Sequence, residues 1–302
     1  MKNKYTYRAY NLIFSSELLI PELEMTEGTP DVVIKLGQVP ASLLNPTEKR
    51  KFFQSAPDEF LIRLDNIAGF YVTNGKEITL EPYIDRDAPD IRLFLLGSVF
   101  GALLQQRGYL TLHGASVVIN GKGILFTGKA GIGKSTLAAA FHSKGFRILT
   151  DDVCAIKIGE DKLPYIKPGF PSLKLWKDAA DKLGRNVDGL EPVKKDMDKY
   201  RVNAESQCSE EPIALSEIYI LGVQNSNDIE ILPVKDMDRI MPLIRNTYRY
   251  HYLHGHGMKP LHFKQCAAVA GKVRIFRVLR PETGFLLDEL VRAIEENERK
   301  QQ

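Results

Sequence analysis

The run GKAGIGKS, from Gly128 to Ser135, combines three glycines with a lysine and a hydroxyl residue. It matches the pattern G-x-x-x-x-G-K-[ST] and lies between an apolar strand-like segment and an Ala-rich helical one. Glycines allow the dihedral angles that turn successive N–H groups towards phosphate oxygens, and the following helix directs its positive end to the same place. In this context, the pattern predicts a nucleotide phosphate site rather than a chance glycine-rich turn.

Two side chains of this loop carry specific chemistry. The charge of Lys134 belongs between the terminal phosphates, and the hydroxyl of Ser135 is a ligand for Mg²⁺. ATP and Mg²⁺ are therefore the expected cofactors. The residues expected to contact the nucleotide are Gly128, Lys129, Ala130, Gly131, Ile132, Gly133, Lys134, Ser135 and Thr136.

A pair of carboxylates follows one helix later, at the end of FRILTDD. Neighbouring side chains at a strand end point in opposite directions, so Asp151 and Asp152 can serve different purposes. We assign Asp151 to Mg²⁺, through water, and Asp152 to proton acceptance from an attacking hydroxyl. The reverse assignment stays open, and a turn or helix cap is the structural alternative.

His113 precedes the loop in the segment LHGAS. Its strand is expected to pair with the strand that feeds the loop. This pairing would bring the imidazole close to Asp152. There it would orient the carboxylate or contact a phosphoryl group. A packed, hydrogen-bonded strand histidine is the alternative.

The elements that position these residues follow from hydrophobic patterns. Strand-like runs rich in β-branched and aromatic residues predict a β-rich amino-terminal module over residues 1–88, with a tight hairpin at Asn74-Gly75. Residues 89–302 are predicted to form the catalytic domain. It opens with DIRLFLLGSVFGALLQQRG, a buried helix capped at Gly108.

The loop itself is predicted to belong to a βαβ unit. TLHGASVVI and GILFTG form a hairpin around Asn120-Gly121, STLAAAFHSK is a helix and FRILTDD is the next strand. SEIYILGV and DIEILPV read as further strands. MDRIMPLIRNTY, PLHFKQCAAVAGK and FLLDELVRAIEENERK read as helices, the last with a solvated charged end.

Composition narrows the class of protein. The chain of 302 residues is 44% hydrophobic and 26% charged, and its formal net charge is +3. Whole-chain disorder is excluded, and neither nucleic acid nor a membrane is expected as a partner. Cys154, Cys208 and Cys266 are widely spaced and odd in number, which argues against a disulfide framework. No signal-peptide pattern is visible, so a cytoplasmic protein is expected.

The segment HGASVVINGKGILFTGKAGIGKSTLAAAFHSKGFRILTDD resembles the catalytic domain of HPr kinase/phosphorylase. The resemblance implies an α/β fold with a P-loop kinase core of the HPr kinase and phosphoenolpyruvate carboxykinase type. It also implies phosphoryl transfer from ATP to a serine hydroxyl, with Lys134 and Ser135 at the phosphates and metal. Asp151 and Asp152 would be metal ligand and base, and His113 would lie beside the base.

Three further segments, RLFLLGSVFGALL, KPGFPSLKLW and NTYRYHYL, resemble the HPr-kinase-like proteins of lasso peptide biosynthesis. This resemblance implies that the acceptor is the carboxyl-terminal serine of a precursor peptide. The alternatives are a serine of another small protein, a small-molecule hydroxyl, or a nucleotide-binding switch without catalysis. A homo-oligomer is compatible with all of these.

Other side chains are weaker candidates. Arg245 and Arg249 could offer positive charge to the transferring phosphoryl group, or simply be solvated. His251, His254 and His256 lack a nearby carboxylate or cysteine that would complete a metal site. Lys167 and Lys174 could line an acceptor groove, although a surface loop around a packed Trp176 explains the same residues.

Overall fold

The computed structural model describes residues 5–170, 172–190, 192–193, 198–203, 211–284 and 286–300. The strands of the amino-terminal part are β1 Tyr5–Ala9, β2 Leu12–Ser16, β3 Glu24–Met25, β4 Val32–Leu36, β5 Glu48–Lys49, β6 Phe53–Ala56, β7 Glu59–Leu64, β8 Ala68–Thr73 and β9 Glu77–Pro82. The later strands are β10 Leu110–Ile119, β11 Lys122–Gly128, β12 Arg147–Ile158, β13 Pro164–Lys167, β14 Ser172–Trp176, β15 Lys199–Asn203, β16 Ile213–Gln224, β17 Glu230–Pro233 and β18 Arg274–Pro281. The α-helices are α1 Pro89–Phe94, α2 Phe100–Gln106, α3 Lys134–Ser143, α4 Lys177–Lys182, α5 Ile240–Arg245, α6 Tyr252–Gly255, α7 Lys259–Lys272 and α8 Leu287–Lys300.

The amino-terminal part is a nine-stranded sheet with the order β3-β1-β2-β4-β9-β8-β7-β6-β5. β1 and the second half of β8 alternate buried and partly buried residues, as expected for strands with one face on a core. The hairpin between β8 and β9 turns at Asn74 and Gly75, whose φ angles are 53° and 59°. The prediction of a β-rich module is confirmed.

The predicted buried helix is present, but it is not a regular α-helix. Between α1 and α2, residues Leu95–Val99 form a π-helical turn. Gly108 follows with a φ of 71°, as expected for a carboxy-terminal cap. Phe100 stacks on Phe14 at 4.8 Å between ring centroids, so the helix packs into the core of the amino-terminal sheet.

A second, seven-stranded sheet contains the phosphate loop and has the order β11-β10-β12-β13-β16-β18-β17. β11 and β12 are both antiparallel to β10, so they run parallel to each other and α3 crosses between them. This is the predicted βαβ unit, with β10 inserted between its strands. β16 pairs with both β13 and β11, which makes the sheet curl back on itself.

Helices cover both faces of this sheet. On one face α3 and α8 share a core that includes Phe126, Phe141 and Ile294. On the other face α5 and α7 share a core that includes Leu243 and Val269. The sheet that carries β11, and with it the start of the phosphate loop, is therefore covered by helices on both faces.

The structure shows the burial of Glu298, at the charged end of α8, and of two cysteines. The charged end of α8 is not fully solvated, because Glu298 is only 1% exposed and lies over Arg274 of β18. Cys154 and Cys266 are buried free thiols. Cys208 lies outside the described residues.

Candidate functional site

The phosphate loop leaves β11 at Gly128 and enters α3 at Lys134. Gly128, Gly131 and Gly133 have φ angles of 139°, 79° and 105°, in the region that favours glycine. A Cβ at Gly128 would lie 2.7 Å from the Leu221 carbonyl oxygen, whereas one at Gly131 or Gly133 would meet nothing within 4 Å. The middle of the loop therefore faces open space, and a phosphate can approach its backbone closely.

Lys134 folds back into the loop. Its Nζ donates hydrogen bonds to the carbonyl oxygens of Gly128, at 3.0 Å, and Lys129, at 2.9 Å. The residue is 6% exposed, and burial lowers the pKa of its ammonium, against the pull of Asp151 and Asp152. It lies at the buried base of the loop, where a phosphate would replace carbonyl oxygens as its partner.

Asp151 lies under the first turn of α3. Its Oδ1 accepts a hydrogen bond of 2.8 Å from Ser135 Oγ, and its Oδ2 accepts one of 2.9 Å from the backbone N–H of Lys174. Burial raises the pKa of this carboxyl group. A hydroxyl beside a carboxylate is the donor set that Mg²⁺ prefers, so these two residues fit the predicted metal role.

Asp152 points to a different set of partners. Its Oδ2 is 2.7 Å from Lys174 Nζ, and its Oδ1 is 3.3 Å from His113 Nδ1. Burial alone would raise the pKa of Asp152, but Lys174 and His113 outweigh it and hold the pKa well below its usual range. The backbone at Asp152 has a φ of 81°, a strained conformation of the kind found at functional sites.

His113 lies beside Asp152 because β10 pairs with β12 in the register Gly114 to Asp152. Its Nδ1 is also 3.1 Å from the Asp152 carbonyl oxygen. The imidazole therefore contacts both the side chain and the backbone of this aspartate. The expected proximity of the two residues is confirmed.

A cavity of about 980 Å³ is lined by the loop residues Gly128 to Ala130 and Ile132 together with His113 and Asp152. Lys134, Ser135 and Asp151 lie outside this lining. The walls are completed by the ends of three segments: residues 93–94 and 97–98, residues 220–223 of β16 and residues 245–249. Thr136 lies next to Ser135 in the first turn of α3, below the loop.

Of the weaker candidates, the two arginines lie at the cavity, whereas Lys167 and Trp176 do not line it. Arg245 and Arg249 line the cavity, and both are exposed. Lys167 lies on β13 outside the cavity lining. The segment around Trp176 is not a loop over a packed indole, because it forms β14 and leaves Trp176 45% exposed.

The three histidines of HYLHGH are spread along the edge of the amino-terminal sheet. His251 packs against Phe53, His254 lies 3.6 Å from Glu48, and His256 is buried against the Ala56 carbonyl oxygen. Over the part of the chain that the structure describes, no group of three or more His, Cys, Asp or Glu residues could hold a metal ion. Within the same residues, every helix is too short or too polar to cross a membrane.

Sequence reasoning did not anticipate the full contribution of Lys174. Its backbone holds Asp151 and its ammonium holds Asp152, so one residue of β14 organises both carboxylates. The available signal was the alternation in SLKLW, which places Lys174 between two buried leucines on the opposite face. Tyr248, buried beside the His113 ring at 5.9 Å, gave no comparable signal.

Comparison with known proteins identifies the central segment. Residues 106–165 match the HPr Serine kinase C-terminal domain. The chain is 47% identical over 60 residues to an HPr kinase/phosphorylase of Caldanaerobacter subterraneus subsp. tengcongensis, and 45% identical over 63 residues to one of Clostridium tetani. Each alignment covers 20% of this chain, and the chain spans about a fifth of each relative, 20% and 21%.

A solved structure of the Hpr(Ser) kinase/phosphatase from Coxiella burnetii is 18% identical with a TM-score of 0.34, over 63% of this chain and 91% of that one. The matched segment 106–165 contains β10, the phosphate loop, α3 and β12. All the main predicted site residues, from His113 to Asp152, fall inside it. The match to residues 106–165 confirms the predicted α/β core of HPr kinase type around the phosphate loop, and the β-rich sheet precedes it.

Proposed function

We propose that this protein is an ATP-dependent serine kinase that phosphorylates a peptide or small protein. The observation that carries the proposal is the shared cavity, which is lined both by the phosphate loop and by Asp152 with His113. A nucleotide held by the loop presents its terminal phosphate towards this carboxylate. A positioned base at that point is what transfer to a hydroxyl requires.

The loop and its neighbours hold the metal nucleotide. Backbone N–H groups of residues 129–135 would surround the phosphates, and Lys134 would exchange its loop carbonyl partners for phosphate oxygens. Ser135 and Asp151 would hold Mg²⁺. When bound, the metal offsets negative charge on the phosphates.

The remaining residues act on the acceptor. The serine oxygen bonds to the γ-phosphorus, the bond from that phosphorus to the β–γ bridging oxygen breaks, and ADP leaves. Asp152 accepts the hydroxyl proton, while His113 and Lys174 hold the carboxylate in place. The side chain of Asp151 contacts Ser135, whereas that of Asp152 contacts His113 and Lys174, which supports separate roles for the two carboxylates.

For the acceptor, we propose the carboxyl-terminal serine of a lasso precursor peptide. The support is the likeness of RLFLLGSVFGALL, KPGFPSLKLW and NTYRYHYL to the kinases of that pathway. Each of these segments contributes to the site. The first supplies the cavity wall at residues 97–98, the second supplies Lys174, and the third supplies Tyr248 and Arg249. A serine of an HPr-like protein is the alternative within the same reaction.

The test is transfer from γ-labelled ATP with Mg²⁺ to a peptide ending in serine, followed by identification of phosphoserine by mass spectrometry. Lys134→Met should reduce labelling by at least about 100-fold, because the lost charge cannot stabilise the transferring phosphoryl group. Lys144→Met, on the exposed carboxyl end of α3, is the matched control and should label normally.

Different failures point to different alternatives. Labelling of small alcohols but of no peptide or protein would indicate a small-molecule kinase. Tight binding of ATP without transfer to any acceptor would indicate a nucleotide switch. Normal labelling by Lys134→Met would contradict the assignment of the phosphate loop.

A further inference from the structure

A second cavity, of about 470 Å³, adjoins the catalytic one. Phe94, Ser98 and Arg249 line both cavities, so the two share a wall. The far side of the second cavity is built by the amino-terminal sheet, through residues 50–53 and β7. This arrangement brings a surface of the β-rich module next to the site of phosphoryl transfer.

The shared wall lies on the Asp152 side of the catalytic cavity. A Cβ on Gly97 would be 3.2 Å from the Tyr248 hydroxyl and 4.0 Å from Asp152 Oδ2. The π-helical turn therefore lies next to the proposed base. A nucleotide bound at the phosphate loop would leave the shared wall uncovered, so an acceptor can reach Asp152 from the side of that wall.

The lining of the second cavity is aromatic and cationic. Phe53 and Tyr252 form a buried floor, with ring centroids 4.8 Å apart, and Phe52 is 49% exposed at the rim. Lys51 lies 4.9 Å from the Phe52 ring centroid, and Arg249 extends over Tyr248. Among the described residues that line the cavity, none carries a carboxylate.

The cations differ in how far they are already paired. Arg50 lies 2.6 Å from Glu48, which offsets its charge. Among the described residues, Lys51 and Arg249 have no carboxylate within ion-pair distance, so their charges are available to a ligand. A ligand that places an apolar side chain on the rings and a carboxylate beside these cations satisfies both parts of the surface.

We propose that this surface, which we call the aromatic groove and define by Lys51, Phe52, Phe53, Arg249 and Tyr252, binds the acceptor polypeptide next to its serine. It selects a large apolar side chain together with a carboxylate near the acceptor residue. The inference rests on the proposed kinase function. It gives the amino-terminal sheet the task of substrate selection.

The experiment uses the full-length protein, γ-labelled ATP and positional-scanning peptide libraries with one fixed serine. The wild-type protein should favour aromatic or branched apolar residues at one flanking position and Asp or Glu at another. Phe52→Ala should flatten the apolar preference and Lys51→Glu should remove the acidic one. For the best single peptide, each change should raise KM about tenfold with kcat and the KM for ATP unchanged, as expected for loss of one important interface contact.

Two exposed residues elsewhere provide matched controls. Phe263→Ala on α7 and Lys49→Glu on β5 remove the same kinds of side chain outside the groove and should keep the wild-type preferences. Labelling of the libraries without flanking preference, or with a preference for Lys and Arg, would overturn the groove and leave the kinase proposal standing. No labelling of any library by a protein that binds Mg²⁺–ATP would overturn both.

Discussion

Lys174 contacts both aspartates of the site. Its main-chain N–H and its side chain hold different aspartates, at 2.9 Å and 2.7 Å. The side chain is 11% exposed, so its ammonium has lost most of its water and depends on Asp152 for compensation. We therefore regard Lys174 as a positioning residue for Asp152, the proposed proton acceptor.

Replacing Lys174 by Met keeps the side-chain volume and the backbone contact to Asp151 but removes the charge. We expect turnover to fall by on the order of 100-fold, because Asp152 loses its strongest partner, with nucleotide affinity changed less than about threefold. Lys174→Arg should restore part of the rate. Single-turnover rates and nucleotide titrations measure the two effects separately.

The matched control is Lys177→Met, an exposed lysine on α4 that pairs with Asp188 at 3.3 Å. It should behave as the wild type. A Lys174→Met protein that folds and turns over normally would show that the ion pair does not position the base.

The two aspartates should separate binding from chemistry. Asp152→Asn keeps the size of the side chain but cannot accept the proton, so the rate should fall about 10²- to 10⁴-fold while Mg²⁺–ATP still binds. Asp151→Asn should weaken the metal-nucleotide complex, because the group facing Ser135 loses its charge. Nucleotide affinity and single-turnover rate are measured for both variants with one peptide.

An Asp151→Asn protein that binds Mg²⁺–ATP normally but transfers nothing, beside an active Asp152→Asn protein, would reverse the two roles. Wild-type behaviour of both would mean that the pair only shapes a turn. His113→Ala is expected to lower turnover with little change in nucleotide affinity, since it orients Asp152 from one side only.

The carboxyl end of α8 carries a buried carboxyl group, that of Glu298. Glu298 faces Glu217 of β16 and Arg274 of β18, with Lys122 of β11 nearby. The Arg274 Nη2 to Glu298 Oε2 distance of 3.7 Å is within ion-pair range but too long for a hydrogen bond. Burial, with Glu217 adding to it, raises the pKa of Glu298 to about 7.

This raised pKa makes the docking of α8 sensitive to pH. The folded protein holds a proton on Glu298 that the unfolded chain releases at lower pH, so the free energy of unfolding falls as pH rises from about 4.5 to 7. Glu298→Gln should therefore stabilise the protein at pH 8 by on the order of 1 kcal/mol, with little effect at pH 5. Urea unfolding at the two pH values measures this.

Glu296→Gln, an exposed change two residues earlier in α8, is the control and should be neutral at both pH values. Equal effects of Glu298→Gln at pH 5 and pH 8 would indicate that the carboxylate is compensated in the folded protein.

One hydrophobic cluster joins the amino-terminal sheet to the sheet that contains the phosphate loop. It contains Phe14 and Phe70 of the sheet, Phe100 of α2, and Val153 of β12, next to Asp152. A boundary between residues 88 and 89 stays a prediction. The packing of α2 into the sheet implies that the two parts stabilise each other.

Phe100→Ala tests that dependence. Phe100 is fully buried and stacks on Phe14, so the change should cost about 3–5 kcal/mol through lost burial and a cavity. Unfolding of the amino-terminal sheet and of the nucleotide site should shift together. We would measure denaturant unfolding by circular dichroism and by loss of ATP binding, with Phe263→Ala as the exposed control. A shift in only one of the two signals would show that the parts fold separately.

Short stretches of the sequence are sufficient to predict the phosphate loop, the tight turns and the order of strands and helix around the loop. The loop Gly128 to Ser135, the turns at Asn74-Gly75 and Asn120-Gly121, and the alternation of α3 with its flanking strands are all encoded within short windows. Glycine at positive φ and hydrophobic periodicity are properties of neighbouring residues, so they can be read without tertiary contacts. The pairing of His113 with Asp152 was also accessible, because it follows from two adjacent strands.

Segments that are distant in the sequence complete the site through tertiary contacts. Lys174 reaches the aspartates because β14 packs beside β12, and Tyr248 and Arg249 reach the cavity after a turn that follows α5. The burial of Lys134 and Glu298, both of which resemble surface charges in the sequence, is likewise a property of packed neighbours. These contacts join residues that are far apart in the chain. Short sequence patterns do not predict them, because they form only when the strands and helices pack together.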